Sequence, residues 1–238
     1  MLWIFLCFLS CQAFYYEDDI TTELEVAKVT SSYNIGIARA TASSVKILLY
    51  KDGFSAGHGS GNLFKIGSAR FVITATHVIE GEDAVVIKEA NGNMIPARVA
   101  WANLHNDIAI LVPLDEFQVT EPVSYRNSKQ KDLTGEHLWY YGYPSNFAGL
   151  LINGFVSQSR HSRVIMQSQA WFGASGSATF DSSGRIIGIV HAISLEIDPW
   201  SSAPTYLDTV VIVNRVFDLD RRDVLGILRN DSKSWNSD

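Results

Sequence analysis

The chain has 238 residues, 47% of them apolar and 18% charged, with a formal net charge of −6. That length holds one large core or two small barrels packed together, and the apolar share excludes an intrinsically disordered chain. The negative balance, with no Lys/Arg cluster, argues against a nucleic-acid partner.

Met1 to Ala13 is almost wholly apolar, yet shorter than the about 20 residues that span a bilayer as a helix. It reads as an export signal without a positive n-region, with Cys11-Gln12-Ala13 as a small-x-small cleavage site before Phe14. An exported protein, secreted or periplasmic, is then expected. Phe8-Leu9-Ser10-Cys11 also reads as a loose lipobox, and a frayed or buried apolar terminus is a third reading. Membrane contact is expected only through this segment, if uncleaved or lipidated. Cys7 and Cys11 are the only cysteines. The body therefore has no internal disulfide, which suits a bacterial, viral or organellar setting.

Residues 14–43 are polar and mixed, with an acidic patch at Glu17-Asp18-Asp19. They read as an arm, with a helical stretch at Thr21 to Lys28. Short β-type runs follow, separated by Gly, Asn, Asp and Pro. The first group, in a unit over 44–112, is Val45–Tyr50, Gly61–Ile66, Arg70–Ala75, Ala84–Lys88, Ile95–Ala102 and Asp107–Val112. A linker rich in Lys, Asp, Ser and Gln covers 113–135. The second group, in a unit over 136–213, is His137–Tyr141, Leu150–Val156, Arg163–Ser168, Gly176–Phe180, Arg185–Ile193 and Leu207–Val213. About six strands on each side of a linker argue for all-β sandwiches or barrels. No alternating helical pattern supports a parallel α/β sheet. In the tail, 214–238, the period changes. Val216, Leu219, Val224, Leu225 and Leu228 make one apolar face, predicting a C-terminal helix over Asn214 to Arg229 with Asn214 as N-cap. No internal repeat is evident.

Three segments carry chemistry. They are Thr74-Ala75-Thr76-His77, Asn106-Asp107-Ile108-Ala109-Ile110-Leu111 and Gly173-Ala174-Ser175-Gly176-Ser177. A serine hydroxyl is a poor nucleophile until a base takes its proton. Histidine does so near neutral pH, and a buried carboxylate fixes its tautomer and stabilises the imidazolium. His77 ends an apolar run in small residues that leave room for an imidazole. Asp107 leads into an apolar strand, where a carboxylate needs a partner. Glycines on both sides of Ser175 allow a tight turn that aims the N–H groups of Gly173 and Ser175 at one point, as an oxyanion hole does. Each residue alone has a bland reading: a core or loop histidine, a strand-capping Asp, a Gly/Ser hairpin turn. Together, in the order His, Asp, Ser, they point to acyl transfer through a catalytic set of His77, Asp107 and Ser175. That order is not the Ser, Asp, His order of α/β-hydrolases.

These segments, with Gly59-Ser60-Gly61, Gly142-Tyr143-Pro144 and Gly188-Ile189-Val190, resemble the chymotrypsin-fold serine proteases. The similarity is to the disulfide-free bacterial branch that includes HtrA/Deg proteases and staphylococcal glutamyl-endopeptidase-like enzymes, and it covers roughly residues 45–215. The resemblance implies two six-stranded antiparallel β-barrels. The triad would lie in the cleft between them, His77 and Asp107 from the first barrel and Ser175 from the second. It implies a protein or peptide substrate and no cofactor. Ser177 stands where many relatives have Gly, as in the glutamyl-endopeptidase-like group. Ala174 stands where trypsin-type zymogens carry an Asp, so activation by that ion pair is not expected. No residues are left after the body for a PDZ domain, so HtrA-type regulation is not expected.

The resemblance also places the substrate pocket at Gln169 and Ala170 and at His191, Ala192 and Ile193. No Asp is available to read Lys or Arg. Ile193 replaces the glycine that opens deep pockets, so a small or medium apolar P1 residue is expected. Glutamate-specific relatives have a His where this chain has Val190. His191 should then face the other way unless the strand is bulged, or else support Asp107.

Other readings compete. Gly53-Phe54-Ser55-Ala56-Gly57 matches the nucleophile elbow of esterases, which needs a strand before it and a helix after. A catalytically inactive protease-like module that binds peptides is the alternative from a different class. The six histidines are scattered with no metal-ligand spacing, so no metal site is expected. His105 reads as a surface turn residue. Trp171 and Phe172 either line the cleft or pack between barrels.

Overall fold

The structure is a computed structural model that describes residues 34–197 and 204–235, with side chains outside 192–208 and 232–235. The apolar leader and the helix expected at Thr21 to Lys28 lie outside the described residues. So does the acidic patch.

Six strands close the first barrel: β1 (Ser44–Lys51), β2 (Phe54–Ile66), β3 (Ala69–Thr74), β4 (Ala84–Lys88), β5 (Met94–Asn103) and β6 (Ile108–Pro113). Around the barrel the order is β1-β2-β3-β6-β5-β4, every pair antiparallel. The linker contributes β7 (Val123–Ser124), which pairs parallel with β2. The second barrel is built from β8 (His137–Gly142), β9 (Leu150–Ser159), β10 (Arg163–Gln167), β11 (Ala178–Phe180), β12 (Ile186–Ile197) and β13 (Pro204–Arg215). Its order, β8-β9-β10-β13-β12-β11, repeats that of the first barrel strand for strand. The repeat lies in the connections, so a search for similar residues does not show it.

Period-2 burial explains the strands. Val45, Ile47 and Leu49 of β1 point inward, as do Ile152, Gly154 and Val156 of β9, while Leu151 and Phe155 face out. The unbroken run Ile108-Ala109-Ile110-Leu111 in β6 is buried throughout, as a strand covered on both faces must be.

Among the described residues, two longer helices flank the barrels. The first, α1 (Ile35–Ser43), is capped by Asn34, whose Oδ1 accepts from Ile37 N at 3.1 Å. It lies inside the segment read from sequence as an arm, and it packs on β8 and β11. The C-terminal helix begins at Arg221, seven residues later than expected. Asn214 is not its cap: it lies in β13, paired with Arg163 and Ile189. The five apolar residues share one core, since Val216 and Val224 are buried and Leu219, Leu225 and Leu228 pack against the same core. But Val216 and Leu219 are held outside the helix. Tyr125 Oη donates to Leu219 O (2.6 Å), and Asn127 Nδ2 donates to Val216 O (3.0 Å) and Leu219 O (2.9 Å). The start signal is Asp220-Arg221-Arg222-Asp223. Asp220 Oδ1 accepts from Arg222 N and Asp223 N, while Asp223 Oδ2 accepts from Asp220 N, a reciprocal capping box.

Candidate active site

His77 stands on a four-residue helix, α2 (Thr76–Ile79), that follows β3 almost directly. Threonines on either side tie this corner down. Thr74 Oγ1 donates to Ser60 O (2.7 Å), and Thr76 Oγ1 donates to Asn103 O (3.2 Å). Asp107 closes the turn between β5 and β6, where Asn103 Oδ1 accepts from Asn106 N at 3.0 Å. It takes φ +50°, a left-handed conformation that Asp tolerates better than most residues.

Turn and helix face each other through the carboxylate. Asp107 Oδ1 accepts from the His77 backbone N–H and Oδ2 from His77 Nδ1, both at 2.8 Å. This pairing puts the imidazole proton on Nδ1 and leaves Nε2 as the basic nitrogen. His191 Nδ1 donates to the same Oδ2 at 2.5 Å. Burial alone would raise the Asp107 carboxyl. The hydrogen bonds from His191 and His77 outweigh it and hold the group well below the usual carboxylate range. His191 reaches Asp107 because β12 is bulged. Val190 pairs with Val213 and Ala192 with Ile212, which leaves His191 as the extra residue.

The Ser175 segment is two successive β-turns. Ala174 N–H donates to Trp171 O (2.9 Å) and Ser177 N–H to Ala174 O (3.1 Å). The third residue of each is a glycine with positive φ, Gly173 at +96° and Gly176 at +92°, as type II turns require. Both glycines also sit close to other chain segments. A Cβ at 173 would lie 2.5 Å from Tyr143 O, and one at 176 would run into Ser60 O. Among the described residues, neither Gly173 N–H nor Ser175 N–H makes a hydrogen bond. Ser175 Oγ donates to His191 O at 3.2 Å, and no hydrogen bond joins it to His77 in this conformation.

The first barrel holds these turns through β2. Ser60 N–H donates to Ser175 O (2.8 Å). Ser60 Oγ donates to Gly173 O (2.7 Å) and accepts from Tyr143 N (2.9 Å). Asn62 Oδ1 accepts from Ala178 N (2.8 Å), and its Nδ2 donates to Ser43 Oγ (2.8 Å). Gly142 lies so close that a Cβ there would collide with Ser177 Oγ, which donates to Ala174 O at 2.8 Å.

The family of trypsin-like peptidase domains matches residues 59–189, a stretch that includes His77, Asp107 and Ser175. The chain belongs to this family. It is 31% identical over 144 residues to a serine protease Do-like HtrA of Lactobacillus helveticus, covering 55% of this chain and 34% of that protein. It is 29% identical over 146 residues to a serine protease Do-like HtrB of Bacillus subtilis (strain 168), covering 55% and 31%. The chain thus spans about a third of the length of these curated relatives. In fold it is similar to the crystal structure of a serine endoprotease from Yersinia pestis, with a TM-score of 0.64 and 20% identity, over 83% of this chain and 66% of that one. The two closed six-stranded barrels with a C-terminal helix are the chymotrypsin-like architecture.

Gln169 is exposed, and its carbonyl accepts from the Tyr140 hydroxyl; Ala170 beside it is buried. Ala192 and Ile193 belong to the backbone of β12, with side chains outside the described residues. His191, expected on the pocket wall, directs its ring to Asp107. Phe172 is 75% exposed, and Trp171 is exposed too, so neither is packed away between the barrels. His105 is exposed, as expected. The esterase-elbow reading fails because Phe54 to Gly57 form the start of β2, paired with β1, with no helix following. Sequence reasoning missed the anchoring roles of Ser60 and Asn62. Two polar residues just ahead of the apolar Leu63-Phe64 were the available signal, because buried polar groups in a strand need partners. The reading of His191 as a support for Asp107, offered beside the pocket-wall reading, matches the geometry, since both histidines meet one carboxylate. His77, Asp107 and His191 each offer a ligand atom, all within 4.8 Å of one another.

Proposed function

We propose that the chain is a serine endopeptidase that works through an acyl-enzyme, with Ser175 as nucleophile, His77 as general base and acid, and Asp107 as the group that orients His77. The observation that carries this reading is the pair of hydrogen bonds that Asp107 accepts from the backbone and ring of His77, beside a serine turn in which, among the described residues, the Gly173 and Ser175 N–H groups make no hydrogen bond.

A change of the Ser175 rotamer from His191 O to His77 Nε2 starts the cycle. Such bonds commonly tighten only when substrate is bound. Oγ then attacks the carbonyl carbon, its proton passes to Nε2, and Asp107 stabilises the imidazolium. The oxyanion takes hydrogen bonds from Gly173 and Ser175 N–H. His77 protonates the leaving amine, the C–N bond breaks, and water repeats the sequence on the ester. The chemistry calls for no cofactor. Ala174 is fully buried in the turn and offers no carboxylate to a new N-terminus, and the turn is held instead by Ser60 and by Ser145, whose N–H donates to Phe172 O. The partner is a protein or peptide substrate, read through Gln169, Ala170, Ala192 and Ile193, with preference for a small or medium apolar P1 residue. Export follows if residues 1–13 act as a leader.

Labelling with a fluorophosphonate probe tests the reading. The adduct is expected on the peptide that contains Ser175 and is expected to vanish in Ser175→Ala. A correctly folded chain that takes no label would favour the peptide-binding alternative. Cleavage of a peptide library tests the pocket; dominant cleavage after Lys, Arg or Glu would refute the shallow apolar S1 site.

A further inference from the structure

A triad needs one imidazole on its carboxylate, and here there are two. His77 Nδ1 and His191 Nδ1 meet the same Oδ2 at 2.8 and 2.5 Å. Their rings stand 5.4 Å apart at 84°. The three side chains come from three separately anchored elements: α2, the β5–β6 turn and the bulge in β12. No segment has to move far to bring them together. The site is also open to solvent, with side-chain exposures of 41% for His77 and 35% for His191 against 10% for Asp107.

We propose that His77, Asp107 and His191 form an inhibitory site for a borderline-soft divalent cation, of which Zn²⁺ is the best fit. Two imidazole nitrogens and a carboxylate oxygen are the donor set such ions take, with water in the fourth position. Ligand distances of about 2.0–2.2 Å around the ion require both N–H···O contacts to open slightly, and the bulge gives His191 that freedom. The ion replaces the two Nδ1 protons. Each proton reappears on Nε2 of its own ring through solvent, so both imidazoles stay neutral. This tautomer change is what inhibits. With the ion on Nδ1, His77 Nε2 carries a proton and has no lone pair for that of Ser175. Mg²⁺ and Ca²⁺, which prefer all-oxygen shells, should not act this way. The binding stands on the geometry alone; the inhibition rests on the triad proposed above.

The test separates the two. Untagged Ser175→Ala protein with the whole 238-residue chain keeps all three ligands and removes self-cleavage. Calorimetric titration should show one Zn²⁺ per chain and no comparable Mg²⁺ binding. Adding His191→Gln or His77→Gln should weaken it at least about tenfold. No binding, or equal binding in all three proteins, overturns the site. If the added substitutions unfold the chain, Co²⁺ loading of Ser175→Ala itself decides. Intense visible bands of a four-coordinate ion support the site, and the weak spectrum of an octahedral ion overturns it. In the unsubstituted chain, Zn²⁺ should suppress fluorophosphonate labelling and a chelator should restore it. Undiminished labelling at saturating Zn²⁺ overturns the inhibition while sparing the site. Zn²⁺ binding in a chain that never labels refutes the proposed activity and leaves the metal site standing.

Discussion

Ser60 serves both turns of the Ser175 segment from the opposite barrel. Its amide holds Ser175 O and its hydroxyl bridges Gly173 O and Tyr143 N. Ser60→Ala therefore strands a part-buried carbonyl and a buried N–H, at up to about 1–3 kcal/mol for each group left without a partner. The loss falls on the carbonyl of Gly173, the residue whose own N–H is one of the two proposed oxyanion donors, so the labelling rate of Ser175 should drop about tenfold or more, on the scale of a weakened oxyanion donor. Urea unfolding together with labelling kinetics checks this. A destabilised variant that labels at the normal rate would mean that the glycines alone shape the turn. Much at this scale was legible. His77, Asp107 and Ser175 stood out because small or glycine-rich flanks announce a side chain that needs room. Ser60 did not, because its partners lie more than a barrel away along the chain.

Among the elements, the strands were the most readable. Ala84–Lys88 appears with the bounds expected, and the other expected strands are found with one or both ends shifted by up to four residues, except that Gly61–Ile66 extends back seven residues to Phe54. Period-2 burial makes that possible. The bulge at His191 was not readable, because a one-residue slip in register depends on what the strand faces, not on its own residues. The helix start was misplaced for a related reason, since the apolar period runs on through Val216 and Leu219 although tertiary hydrogen bonds hold them outside the helix. The linker is fixed by a carboxylate at the turn between β4 and β5. Glu89, 2% exposed, accepts from the backbone N–H groups of Gln118 (2.8 Å), Val119 (2.9 Å) and Thr120 (2.7 Å) and from Asn93 Nδ2 (2.6 Å). Burial works to raise this carboxyl, but those bonds prevail and lower it. A lowered folded value means a stabilisation that is complete above the unfolded carboxyl's range of about 4.3 and fades as pH falls through the folded value. Glu89→Gln should thus cost about 1–3 kcal/mol at pH 7, with a smaller gap to the parent near pH 3. Thermal melts at the two pH values measure this, and an equal gap at both would refute it.

Across the whole molecule, two barrels of identical connectivity meet at a seam, and the proposed chemistry sits on it. His77 and Asp107 come from one barrel and Ser175 and His191 from the other. For His77, Asp107 and Ser175 that division is what the resemblance implied. The joinery across the seam was not, because Asn62 and Ser60 look like unremarkable polar residues until barrel closure brings barrel 2 against them. The seam is also tight. Gly142 and Ser177 face each other in the second barrel with Ser60 of the first barrel beside them, and only one of the two positions has space for a side chain. They therefore behave as a single two-position choice. Gly142→Ala should destabilise the chain by about 1–3 kcal/mol through overpacking. Ser177→Gly should lose its bond to Ala174 O, yet the double variant should recover part of both losses. A double-mutant cycle would read that recovery as a coupling energy. Among related chains, the same constraint should appear as covariation: a hydroxyl at one position, a bare α-carbon at the other, and the pair changing together.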